Sequence, residues 1–245
     1  INKNRSIYMS NKSGQSDSLL LNVAFNIIIP TLILINLSTS EYLGTKLAVA
    51  VALAFPIIYG LKDFIMIKKL NAFSALGVIS ILLTGGISLL ELNPIYIAIK
   101  EAAIPAIFGI ATLVSLKTPY PLVKTFLYND KVIQTKRIPA IIKKNGTAEY
   151  LETCLTNASW IVACSFFLSS LLNYILAVSI ITSQPGTVEF NEQLGTMTAL
   201  SFPVIAIPAM LVLLGALFYL FRGIKKLTGL QLEEIVQHND SKQKD

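Results

Sequence analysis

Six apolar stretches, separated by short segments that carry almost all the charge, limit what this chain can become. They run over residues 19–37, 47–61, 70–90, 95–116, within 153–188, and 198–221. A helix needs about 20 apolar residues to cross a bilayer, and most of these stretches approach that length. Only 14% of the residues are charged and 53% are hydrophobic, against about 25% charged in a soluble domain. The expected fold class is therefore all-α, a polytopic membrane protein with six transmembrane helices. A polar tail at 1–18 would precede a membrane domain at 19–226, and a polar tail at 227–245 would follow it. Met9 is a candidate start within the first tail. The first stretch, broken only by Asn22, Asn26 and Asn36, exceeds the 7–15 apolar residues of a cleaved signal, so it reads as an uncleaved helix.

The charges orient these helices. Of the 20 Lys and Arg residues, 18 fall on one side: before the first stretch, between two and three, between four and five, and after the sixth. Lys46 lies in an opposite loop, as do Glu41, Glu91, Glu189 and Glu192, and Lys100 lies in the membrane. The positive-inside rule then places both termini in the cytoplasm. A net charge of +6, concentrated beside the membrane, points to anionic lipid headgroups as partners and not to nucleic acid.

Inside the fourth stretch stands an adjacent pair, Lys100-Glu101, with Pro105 following. Each ionisable group in a bilayer costs about 2.5–3.5 kcal/mol on insertion scales, so such residues are functional candidates. Pro105 has no N–H, which frees the carbonyl of Glu101. Lys100 lies about 9 Å below the surface at 1.5 Å per residue, and is expected to snorkel outward along Tyr96. Glu101 is expected to meet Asn26 or a polar seam of the fifth stretch, formed by Asn157, Cys164, Ser165, Ser169 and Asn173. Asn26 precedes Pro30 at the spacing by which Glu101 precedes Pro105. An inverted three-plus-three repeat would produce that match; so would chance, since prolines are common in membrane helices. The candidate intramembrane site is thus Lys100, Glu101, Pro105, Asn26, Pro30, Ser169 and Asn173.

The segment 117–152 is the one substantial polar interruption. Within it, 118–128 reads as an amphipathic surface helix, with Leu122, Val123, Phe126 and Leu127 on one face and Lys117 and Lys124 reaching lipid phosphates. Tyr150 and Trp160 suit interfacial anchors. Cys154 and Cys164 lack metal-ligand spacing and read as packing residues. No metal or cofactor is expected. No catalytic motif occurs, and the one histidine, His238, lies in the tail. An enzyme is not expected.

Gly85-Gly86-Ile-Ser-Leu, a lysine in the fourth stretch, Phe108-Gly109, Ser115, Pro121-Leu122 and Phe126-Leu127 resemble the intracellular septation protein A family. Asn157-Ala-Ser-Trp160, Phe166-Phe167-Leu168 and Asn173-Tyr-Ile-Leu-Ala177 extend the likeness, which covers about residues 20–225. A longer segment at 129–152, Glu101 and the prolines of the sixth stretch set the chain apart, as a less characterised six-helix branch would be. The resemblance implies a non-enzymatic bacterial inner-membrane protein serving envelope maintenance and cell division. It would act through division or envelope-synthesis membrane proteins. Two other readings remain open: a small transporter or channel built around Lys100-Glu101, and a lipid-handling protein using the surface helix.

Overall fold

Apolar runs can enter lipid only if their backbone groups are satisfied internally, which helices achieve within one segment. The computed structural model describes residues 21, 23–67, 72–119, 121–127, 141–142 and 145–230, and all regular structure among them is helical. In chain order the helices are α1 (Ala24–Asn36), α2 (Gly44–Ile67), α3 (Ala72–Leu89), α4 (Ile95–Ser115), α5 (Leu122–Leu127), α6 (Ala148–Ile180) and α7 (Val188–Thr228). Four of them, α2, α4, α6 and α7, are long and apolar enough to cross a membrane, while α1 and α3 are shorter and apolar. This is the make-up of a membrane protein. Met9, the first polar tail, residues 231–245 of the second and the basic residues at 128–140 lie outside the described residues; the second tail's first two residues belong to the last helix, which runs to Thr228.

Two helices begin five or more residues earlier than expected. Thr187 caps α7 by accepting from the Phe190 amide at 3.2 Å, and Gly186 supplies the left-handed turn before it at φ +92°. The turn 188–201 is too polar for a hydropathy window, yet it buries Phe190, Asn191, Leu194 and Met197 on one face. It is amphipathic, and its polar side hides its core side from an average. The start of α6 at Ala148 likewise takes in polar residues that the expectation left in the preceding segment.

Prolines shape α1 and α7. The first turns of α1, Ala24–Ile28, are π-helical and run directly into Ile29-Pro30. In α7 a π-helical segment, Phe202–Ala206, runs into Ile207-Pro208. A proline ring clashes with the carbonyl four residues back and leaves it unbonded, and a wider turn relieves both problems. Pro105 by contrast lies inside an unbroken α-helix. The resemblance between Asn26-to-Pro30 and Glu101-to-Pro105 therefore does not extend to local backbone form.

The chain groups into two compact units, one of residues Ile1–Ala102 and Asn173–Val204, the other of Ala103–Leu172 and Ile205–Asp245. In the first unit, α1 and the opening turns of α7 approach closely at Gly195, whose neighbours are Thr31, Leu34 and Ile35. The amide of Asn191 donates to Ser38 Oγ at 3.0 Å and to the Thr45 carbonyl at 2.9 Å, joining α7 to the end of α1 and the start of α2. Three connections meet nearby: Lys46 pairs with Glu91 at 3.0 Å, and Glu91, itself left-handed at φ 53°, packs on Gly186.

In the second unit α6 and the later turns of α7 run antiparallel. Lys226 sits over the Tyr150 ring at 5.6 Å, Gly223 abuts Cys154, and Asn157 donates to the Tyr219 hydroxyl at 2.9 Å. Further along, Ser165 donates to the Ala209 carbonyl at 3.3 Å. The short α5 buries Val123 against Ala158, Val162 and Ala216. Val123, one of the four side chains on the face expected in lipid, thus faces protein.

Candidate intramembrane site

α4 is set going by Asn93-Pro94. The Asn93 side chain accepts from the Ile95 amide at 3.0 Å, and the Asn93 and Pro94 carbonyls accept from Tyr96 and Ile97. That start fixes the rotation of the helix, burying Ile97 and Ala98 and directing Lys100 toward α3. Only 6% of the Lys100 side chain is exposed. It does not snorkel along Tyr96, because a closer set of oxygens is available.

The Lys100 ammonium donates to Thr84 Oγ1 at 2.8 Å, to Ser80 Oγ at 3.1 Å and to Glu101 Oε1 at 2.6 Å. An ammonium has three donors and no acceptor, so its capacity is filled. Ser80 and Thr84 are four residues apart and share one face of α3. Thr84 spends its own proton on the Ser80 carbonyl at 3.1 Å, which leaves its lone pairs for the lysine. Glu101 is 25% exposed and supplies the counter-charge. Neighbours on a helix point about 100° apart, yet the long side chains bend to meet. Glu101 thus has its sequence neighbour Lys100 as a partner, a contact that the sequence reading did not expect.

The other expected site residues are spread over α1, α4 and α6. Asn26 lies in the π-helical turn of α1, Pro30 is buried beside it, and Asn173 is half-buried on α6 in the same unit. Ser169 is buried and belongs to the second unit. The α6 residues expected on one face are divided: Ser165 and Ser169 are buried, while Asn157 and Cys164 are exposed. Cys154 packs as expected and Cys164 does not. Lys124 pairs with Glu152 at 2.6 Å, and Lys117 is exposed. Ser80 and Thr84 were missed, although hydroxyls at i, i+4 and i+8 (Ser80, Thr84, Ser88) on a mostly apolar helix were visible in the sequence.

A cleft of about 220 Å³ in the first unit is bordered by Asn93, Ile95, Ala98, Ala177, Thr182 and Gln184. It falls below the roughly 300 Å³ at which small-molecule sites begin, and neither Lys100 nor Glu101 borders it. The comparisons add no identity: no protein-family description, curated protein or solved structure matches this chain.

Proposed function

We propose that this is a bacterial inner-membrane protein that serves envelope maintenance and cell division through partner membrane proteins, without catalysis. The observation carrying the reading is the closed state of its charged cluster. Lys100 has every donor occupied by Ser80, Thr84 and Glu101, so the pair resembles an internal fastening between α3 and α4. The likeness of the Gly85-Gly86, Phe108-Gly109 and Asn157-to-Trp160 motifs to septation protein A supports the same reading. Loss of the protein should weaken growth under membrane stress, and purified protein in liposomes should move no solute. A second reading, a small transporter or channel, draws on the quarter-exposed carboxylate of Glu101 within an apolar helix. Substrate-dependent flux that disappears in Glu101→Ala would establish that second reading and overturn the first.

The proposal includes six spans with both ends in the cytoplasm, on the strength of the Lys and Arg asymmetry. In a background lacking Cys154 and Cys164, a cysteine placed at position 184 should react with an impermeant reagent from outside. One placed at position 136 should be spared. The reverse labelling would overturn this orientation.

A further inference from the structure

The geometry points to a binding site for a single anionic phospholipid along the outer face of α7. Ile207, Leu211, Leu214, Phe218, Arg222 and Lys225 follow at intervals of four, three, four, four and three residues, which places them in one stripe. All six are exposed, Leu211 at 64% and Phe218 at 62%. The opposite side of the same helix buries Ala216, Leu220, Ile224 and Leu227, so the stripe faces away from the side packed within the second unit.

The stripe changes character once along its length. From Ile207 to Phe218 it is apolar and spans about 16 Å at 1.5 Å per residue. That matches one leaflet, roughly half of the 30 Å hydrocarbon core. One turn beyond Phe218 the stripe becomes basic. An acyl chain laid on the apolar part would bring its phosphate level with Arg222. A guanidinium can hold a phosphate through two parallel hydrogen bonds, which an ammonium cannot do. Lys226 adds positive charge beside the stripe and is held over the exposed ring of Tyr150, a residue type suited to headgroup depth. The carboxylate of nearby Glu152 is already paired with Lys124. Continuity of the apolar and basic parts favours a lipid as occupant over a free phosphate, which would use only the basic end.

Native mass spectrometry of the full-length protein in neutral detergent tests this. Dioleoyl phosphatidylglycerol should be retained as a single adduct, and dioleoyl phosphatidylcholine should not. Arg222→Gln should lower phosphatidylglycerol retention roughly fivefold, near the effect of one basic residue at a membrane surface. Arg222→Lys should fall between, and Lys46→Gln, in the first unit, should leave retention unchanged. Equal retention of the two lipids, or an unchanged Arg222→Gln, would overturn the proposal. So would displacement of the lipid by soluble glycerol phosphate, which would mark a site for free phosphate.

Discussion

Lys100→Met should destabilise the protein in detergent by about 3 kcal/mol, the lower end of the cost of breaking a buried ion pair from one side. The lower end applies because Glu101 is a quarter exposed, so the pair is not fully buried. Without the ammonium, the carboxylate loses its counter-charge within an apolar helix, and Ser80 loses the donor that reaches its hydroxyl. Glu101→Leu should cost a similar amount for the mirror reason, since it strands the lysine. Glu101→Gln keeps an acceptor for the ammonium but not the charge, and should fall between wild type and the leucine variant. The combined Lys100→Met, Glu101→Leu variant removes both charges and should recover at least 1 kcal/mol of the summed loss, a coupling expected for residues in direct contact. Additive losses in this cycle, read by reversible unfolding, would show that the 2.6 Å pair contributes no coupling. The fastening between α3 and α4 would then have to rest on apolar packing alone.

How much of this was legible in the sequence depended on whether the deciding signal was local. The limits of α4 were readable because Asn93-Pro94 announces its start and an apolar run sets its length. The pairing of Lys100 was not readable, because two of its three acceptors come from another helix and Ser80 and Thr84 look unremarkable alone. The error on α6 has a geometric cause. Steps of four residues advance about 40° around a helix, so Asn157 and Asn173, sixteen residues apart, end roughly 160° apart. A seam drawn through both could not stay on one face, and the structure buries Ser165 while exposing Cys164. The opening of α7 was hidden because average hydropathy cannot see an amphipathic helix whose many polar residues offset its buried apolar ones. Its cap at Thr187 was the better guide.

That opening turn supports the second large effect. Gly195→Leu should destabilise the protein by about 3 kcal/mol, at the upper part of the range for overpacked interfaces. A Cβ at Gly195 would lie 3.0 Å from Ile35 Cγ1, 3.2 Å from Leu34 Cβ and 3.2 Å from the Thr31 carbonyl. Two of these neighbours are a backbone oxygen and a Cβ, neither of which can swing aside, so a leucine must push α1 and α7 apart. Separation also lengthens the contact from Thr31 Oγ1 to the Gly195 carbonyl, already 3.4 Å. One turn away it strains the Asn191 bonds to Ser38 and Thr45. Gly195→Ala is the control that isolates size from backbone effects. Alanine gains about 1 kcal/mol in helix propensity over glycine, which should roughly offset its tight contacts and leave stability near wild type. Asn191→Leu should cost about 2 kcal/mol through its two lost hydrogen bonds, and combined with Gly195→Leu it should cost less than the sum, because the wedge has already opened the same joint. A leucine variant as stable as the alanine variant would mean that α1 and α7 do not meet at Gly195, and the close approach that organises the first unit would be lost with it.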